Sequence, residues 1–206
     1  MKKNAVLILC IAGIILLTLN NKASGTSNVQ EDIADKILRF HVIANSDSPE
    51  DQKLKLMVRD EVITYLSGIL KNCDTLEEST EKAALHYDDI TRIAENVISS
   101  QGYNYSVSCR IESSYFPVKS YGDITLPAGN YTALRVTLGK AEGKNWWCIL
   151  YPPLCFVDAS CGVVPDSSKA ELKEILTEEE YEEILEHKCD VKFRFKYLKF
   201  LNNLLP

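Results

Sequence analysis

Hydrophobic and polar residues alternate along residues 36–45. One side of this segment carries Leu38, Phe40, Val42 and Ala44, and the other carries Arg39, His41, Ile43 and Asn45. A period of two predicts a β-strand with one fully apolar face. We therefore expect Leu38, Phe40 and Val42 in the core. Arg39, His41 and Asn45 are expected on the less apolar face.

Two helical patterns follow this strand. Ser48-Pro49-Glu50-Asp51 is typical of a helix start, with a capping serine, a proline at the first helical position and an acid at the third. The helix that it opens has one apolar stripe, formed by Leu54, Val58, Val62, Leu66 and Ile69. A second capping box at residues 75–78 predicts one further helix, which ends at Gly102.

The rest of the chain has mostly β character. Residues 103–111 and 131–138 alternate as strands, and the loop Gly139–Asn145 predicts a hairpin into a strand at 146–151. Short helices are predicted to begin at Ser168 and Thr177, and a last strand is predicted at 191–196. We expect one α+β domain whose sheet is mainly antiparallel and is covered on one side by the paired N-terminal helices.

The N-terminus has the layout of an export signal. Lys2 and Lys3 precede an apolar run from Ala5 to Leu19, and small residues follow at 23–25. The run of 15 residues is short for a membrane span of about 20. We expect a signal peptide at 1–25, a linker at 26–32 and a single domain at 33–206. An uncleaved N-terminal anchor is the alternative, and either one places the domain outside the cytoplasm.

The composition supports a folded, acidic domain. Of 206 residues, 46% are hydrophobic and 25% are charged, which is typical of globular proteins. Beyond residue 25 the chain holds 20 Lys and Arg against 29 Asp and Glu. Because this excess is acidic and no basic stripe is present, the sequence predicts no nucleic-acid partner.

Six cysteines remain if Cys10 leaves with the signal, and they allow fifteen complete pairings. Cys148, Cys155 and Cys161 lie around a Pro152-Pro153 bend and are candidates for a disulfide. The alternative is that the cysteines are buried thiols, which pack as small apolar groups; Cys109 suits that interpretation best. No Cys-x-x-Cys motif is present, so the sequence predicts neither a zinc ribbon nor a thioredoxin-like site.

Two segments are unusual. In the first, residues 39–52, the turn and the helix cap explain Asn45, Asp47 and Asp51 as structural residues. They do not explain Arg39 and His41, and a strand-end crevice can present such polar groups to a ligand. The second segment is residues 145–156, where Trp146 and Trp147 must point to opposite faces of a strand. An exposed tryptophan is a natural anchor for a protein interface.

Known catalytic patterns are absent from the sequence. Its three histidines are far apart, and the single Ser-x-x-Lys match at Ser79–Lys82 lies inside a predicted amphipathic helix without its companion motifs. The sequence therefore predicts no cofactor and no metal site. One enzymatic alternative remains, an exported cell-envelope hydrolase that uses His41 with Asp47 or Asp51 as acid and base.

The two unusual segments resemble the hallmarks of the stage II sporulation protein R family. The first is Arg39–Asp47 with Asp51 and Gln52, and the second is residues 145–148 with 152–156. The resemblance covers residues 33–200. It implies an exported signalling protein rather than an enzyme, made in the forespore of a sporulating bacterium. Such a protein acts in the space between the forespore and mother-cell membranes.

The resemblance also implies a partner. Family members trigger a membrane-embedded aspartic protease, stage II sporulation protein GA, which processes the precursor of sigma E in the mother cell. We expect partner contacts around the two motifs. The candidate contact residues are Arg39, His41, Asn45, Asp47, Asp51, Gln52, Trp146 and Trp147.

Overall fold

The computed structural model describes residues 29–155 and 164–186. The predicted export signal, the predicted strand at 191–196 and Cys161 lie outside these ranges. A helical turn at 29–34 comes first and overlaps the predicted linker. The elements that follow are β1 (Leu38–Ile43), α1 (Pro49–Leu70), α2 (Leu76–Leu85), α3 (Tyr87–Ser100), β2 (Val107–Phe116), β3 (Lys119–Tyr121), β4 (Ile124–Leu126), β5 (Gly129–Leu138), β6 (Asn145–Tyr151), α4 (Asp166–Ile175) and α5 (Glu178–Glu186).

The main sheet has the strand order β2-β5-β1-β6. The two outer pairs, β2–β5 and β1–β6, are antiparallel. The central pair, β1–β5, is parallel and places Arg39 opposite Ala133. The α+β prediction with an antiparallel-rich sheet is confirmed, and the parallel pair at its centre is an addition to it.

The first helix begins where the sequence predicts. Ser48 caps it, because the Ser48 Oγ accepts a hydrogen bond from the backbone N–H of Asp51 at 3.2 Å, and Pro49 occupies the first turn. The stripe that contains Leu54 and Val58 packs on the strand face that carries Phe40. Ile69 is partly buried, and the other residues predicted for the strand face and the stripe are at most 2% exposed: Leu38, Phe40, Val42, Ala44, Leu54, Val58, Val62 and Leu66. This half of the core is confirmed.

The helix predicted from residue 75 to Gly102 is two helices, so that prediction is wrong at its centre. His86 ends α2 and begins α3. The hydroxyl of Tyr65 on α1 lies 2.8 Å from the His86 Nδ1 and donates to the Asp89 carboxylate at 2.8 Å. These contacts between helices hold the break, and no local pattern in the sequence encodes them.

The other face of the sheet is also covered, which corrects the expectation of helices on one side only. A second apolar cluster packs there, built from the segment before β1, the strands, and α4 with α5. Its members include Ile33, Ile37, Phe116, Ile124, Tyr131, Leu172 and Ile184. The strand β1 therefore has no solvent-facing side, and all six of its residues are buried.

Two further differences concern the β half. The strand expected at 103–111 runs instead over Val107–Phe116. The short strands β3 and β4 form a small hairpin that the pattern of apolar residues does not predict. Its turn contains Gly122 in the left-handed region, with φ 59°.

None of the helices within the described ranges is both long and apolar enough to cross a membrane.

Candidate functional site

The first motif folds into a network of hydrogen bonds around Asp51. The Asp51 Oδ2 accepts hydrogen bonds from the Asn45 Nδ2 at 2.8 Å and from the Ser46 Oγ at 2.6 Å. Only half of the predicted capping box forms. The Ser48 Oγ accepts from the backbone N–H of Asp51, but the backbone N–H of Ser48 donates to the Ser46 Oγ at 3.2 Å and not to the Asp51 carboxylate. The carboxylate therefore fixes the turn that precedes the helix.

The Asp51 carboxyl group is 5% exposed and is held in its charged form. Burial raises its pKa, but hydrogen bonds from Ser46, Asn45 and Tyr105 more than offset this, so the pKa is lowered overall. A carboxylate that accepts several hydrogen bonds is stabilised as the anion. Asp51 is thus a fixed acceptor and is not available as an acid near neutral pH.

The same turn holds the loop between β5 and β6. The Asn45 Oδ1 accepts from the backbone N–H of Lys140 at 3.0 Å, and the exposed Asp47 accepts through Oδ1 from the backbone N–H of Lys144 at 2.7 Å. Gly139 in this loop has φ 57°. We use the name polar clamp for Asn45 and Asp47 together with the other side chains of the same turn network, Ser46, Asp51 and Gln52.

Gln52 and Lys55 complete the attachment. The Gln52 Nε2 donates to the backbone carbonyl of Ser46 at 2.8 Å. The buried Lys55 donates through Nζ to the Gln52 Oε1 at 2.6 Å and to the carbonyl of Lys144 at 2.9 Å. Burial, followed by the nearby charge of Arg59, lowers the pKa of Lys55. The sequence pattern does not single out Lys55, because nothing in a helical period distinguishes a lysine that folds back onto a loop.

Arg39 is fully buried on the face of β1 that is opposite to the face carrying Phe40. Its Nε donates to the carbonyl of Cys148 at 3.2 Å, and its Nη2 donates to the hydroxyl of Tyr121 at 2.9 Å. The guanidinium group lies 4.3 Å from the ring centroid of Phe116 and 5.0 Å from that of Tyr131. Burial lowers the pKa of Arg39. Aromatic faces and neutral oxygens, rather than a described carboxylate, hold this cation.

His41 is buried beside Arg39. Its ring lies 5.3 Å from that of Phe116, and neither ring nitrogen has a hydrogen-bond partner among the described residues. Burial is the largest cause that lowers the pKa of His41, and the positive charge of Arg135 is the second; the pKa falls to about 4. The imidazole is therefore neutral at ordinary pH.

The structure separates the residues of the hydrolase alternative. Asp47 and Asp51 are engaged with Lys144 and with the turn, while His41 bonds to neither carboxylate. A general base must lie within hydrogen-bond reach of the group that it serves. The predicted acid–base pair of His41 with Asp47 or Asp51 is thus not formed.

The two tryptophans point to opposite faces of β6, as predicted. Arg59 lies 4.2 Å from the ring centroid of Trp146 on the side of α1, and Trp147 packs against the second cluster with Lys119 4.0 Å from its ring. Both side chains are half-buried. Neither tryptophan is fully exposed: both rings lie on the edge strand of the sheet and are covered by a cation.

Two of the three candidate cysteines form a disulfide. Cys148 and Cys155 are bridged across the Pro152-Pro153 bend, with 5.3 Å between their Cα atoms, and the Tyr151–Pro152 peptide bond is cis. Among the described cysteines, Cys73 and Cys109 are free thiols. Cys109 is partly exposed, and burial raises its pKa to about 12.

The first motif and the beginning of the second motif therefore stand next to each other in space. The polar clamp and Trp146 meet at one end of the sheet, whereas Arg39 and His41 are inside the domain and are not part of the accessible surface. Within residues 29–155 and 164–186, no group of three potential metal-binding side chains lies together.

Comparison with known proteins gives the class of this domain. The family described as stage II sporulation protein R (spore_II_R) matches residues 34–161, a range that contains both motifs. The chain belongs to this family of sporulation proteins. It is 34% identical over 190 residues to the stage II sporulation protein R of Bacillus subtilis (strain 168), which covers 89% of this chain and 85% of that protein. No solved structure matches the chain significantly.

Proposed function

We propose that this protein is an exported signal between the two compartments of a sporulating cell. On this proposal it is made in the forespore and acts in the space between the forespore and mother-cell membranes. There it activates a membrane-embedded aspartic protease of the stage II sporulation protein GA type, which processes the precursor of sigma E. It acts by binding rather than by catalysis.

The observation that carries the proposal is family membership over a range that includes both motifs. Two features of the chain support export. The N-terminal 25 residues have the layout of a signal peptide. The Cys148–Cys155 disulfide suits an oxidising compartment outside the cytoplasm.

We place the protease contact on the accessible surface beside the polar clamp. Gln52, Leu56 and Arg59 follow one another along one side of α1, and Arg59 covers Trp146. Leu56 is 36% exposed although it is apolar, and Asp47 is exposed at the edge of the same surface. Tryptophan and arginine beside an exposed apolar side chain are typical of interface anchors.

The experiment is reconstitution of the cleavage in a host that does not sporulate. The protease and the sigma precursor are produced with and without the full chain, and processing is followed by the size of the precursor. We expect cleavage only when the chain is present. Equal cleavage without it would contradict the proposed function.

The contact surface is tested in the same host. We expect Leu56→Asp and Trp146→Ala to reduce cleavage strongly while circular dichroism shows that the secreted protein remains folded. Leu85→Asp is the matched control, because Leu85 is 83% exposed at the end of α2. If Leu56→Asp and Leu85→Asp support the same cleavage, the contact lies elsewhere.

A further inference from the structure

A cavity of about 700 Å³ lies at the other end of the domain from the polar clamp. It opens between the C-terminal half of α1, the loop that follows β6, and α4. Its lining is mixed, and the apolar part includes Ile63, Leu66, Leu70, Leu150, Pro152 and Ile175. This volume lies within the range of about 300–1,000 Å³ that is usual for ligand sites.

One polar side chain in this cavity lacks a partner. Tyr151 lines the cavity and is only 6% exposed, yet none of the described residues forms a hydrogen bond with its hydroxyl. The hydroxyl is not one of the fully enclosed polar atoms of the described residues, so it opens onto the cavity. Burial, and then the negative charge of Asp74, raises the pKa of Tyr151, so the phenol stays protonated. Its oxygen is free to accept a hydrogen bond from a bound group.

The rim of the cavity is acidic. Asp74, Glu171 and Glu174 line it together with a single amine, that of Lys71, and none of the three carboxylates forms an ion pair with a described residue. Glu171 and Glu174 repel each other. Burial is the largest cause of the raised pKa of Glu171, and the negative charge of Glu174 is the second. A cation placed at the rim would relieve this repulsion.

The loop that forms one wall belongs to the second family motif. Pro152 and Pro153 limit the backbone conformations of this wall, and the disulfide fastens Cys155, which lines the cavity, to Cys148 in β6. The site is thus built before a ligand arrives, which lowers the cost of binding. The apolar walls require a ligand that buries apolar groups as well as a charge.

We infer that this cavity binds an apolar peptide segment of a partner protein that carries a lysine or arginine. The apolar side chains of the segment enter between α1 and the Pro152-Pro153 wall. The cation lies at the rim, where the Tyr151 hydroxyl accepts a hydrogen bond from it and the carboxylates of Glu171 and Glu174 pair with it. The site is separate from the surface proposed for the protease contact.

The test is binding of short synthetic peptides to the purified full chain. The probe is a fluorescein-labelled peptide with one lysine between leucine and phenylalanine, and matched peptides replace the lysine by glutamine or glutamate. Fluorescence polarisation measures the affinity. We expect the lysine peptide to bind more tightly than the glutamine peptide, and the glutamate peptide to bind least. Binding should weaken as salt is raised.

Variants of the rim locate the binding. We expect Glu171→Gln with Glu174→Gln to weaken binding of the lysine peptide by about three- to tenfold, as the loss of two partly screened ion pairs predicts. Tyr151→Phe should weaken the same peptide and leave the glutamine peptide almost unchanged. The control is Glu182→Gln, which removes one acid from the exposed side of α5.

Two results would overturn the inference. One is equal binding of the three peptides, or equal binding of the lysine peptide to wild type and to the rim variants. The other is that the cavity takes a segment of this chain itself. Residues 187–206 are the candidate, because they also combine basic and aromatic side chains. A carbodiimide cross-link from Glu171 or Glu174 to a lysine of that segment would assign the cavity to this chain. Because the readout is binding, the outcome does not depend on whether the chain activates a protease.

Discussion

The side chain of Asn45 fills the space beside Gly139 that any other side chain would need. A Cβ added at Gly139 would collide with the Asn45 amide, and the glycine also has φ 57°. The Asn45 Oδ1 is fixed there by the backbone N–H of Lys140. The polar clamp and the loop after β5 therefore fit together only with glycine at this position.

Gly139→Ala is expected to destabilise the protein by about 2–4 kcal/mol, because it combines a collision with an unfavourable backbone conformation. The free energy of unfolding is measured by urea titration. Gly68→Ala is the matched control: nothing lies near a Cβ there, and alanine favours the helix. The control should gain up to about 1 kcal/mol. Wild-type stability of Gly139→Ala would show that the loop can move away from Asn45.

Asp51→Asn is expected to cost about 1–3 kcal/mol, because the partly buried donors of Asn45 and Ser46 lose their charged acceptor. Glu50→Gln, an exposed change in the same helical turn, should stay within about 0.5 kcal/mol of wild type. Since the folded-state pKa of Asp51 is lowered, its contribution is present above the unfolded pKa of about 3.9 and is lost as the pH falls through the folded value. Equal losses in the two variants would contradict the role of the carboxylate.

His41 should make the protein less stable in mild acid. Its folded-state pKa is about 4, so between pH 6.5 and 4 the unfolded chain binds a proton at this position that the folded chain does not. The resulting loss over this window is on the order of 2–3 kcal/mol. Urea titrations of wild type and His41→Gln across the window isolate the effect. Identical pH dependence in both proteins would contradict it.

Replacements of Arg39 should separate its charge from its shape. Arg39→Lys keeps a buried cation but loses the geometry that reaches both the Cys148 carbonyl and the Tyr121 hydroxyl, so we expect a loss of about 2–4 kcal/mol. Arg39→Met fills a similar volume without a charge and should cost less. Thermal unfolding of the two variants gives the order. A lysine variant more stable than the methionine variant would mean that the charge itself stabilises the fold.

Local patterns were sufficient for the elements whose signals are local. The cap at Ser48, the apolar stripe through Leu54 and Val58, and the opposite directions of Trp146 and Trp147 follow from period and capping chemistry alone. The bridge between Cys148 and Cys155 was one of several pairings left open, since sequence does not rank them.

The environment of Arg39 and His41 could not be predicted in this way. Alternation places them on the less apolar side of a strand, but it does not say whether another layer covers that side. The covering residues, such as Phe116 and Leu172, come from distant parts of the chain. The parallel pairing of β1 with β5 and the cavity around Tyr151 depend on the same long-range packing.

The position of β1 in the sheet has a consequence for the order in which the protein can fold. This strand is the first in the described chain, yet both of its neighbours, β5 and β6, come on the order of a hundred residues later. A nascent chain that lacks residues 129–151 therefore offers β1 no partner, and its core cannot close. Such a chain stays unfolded until most of its length has been synthesised.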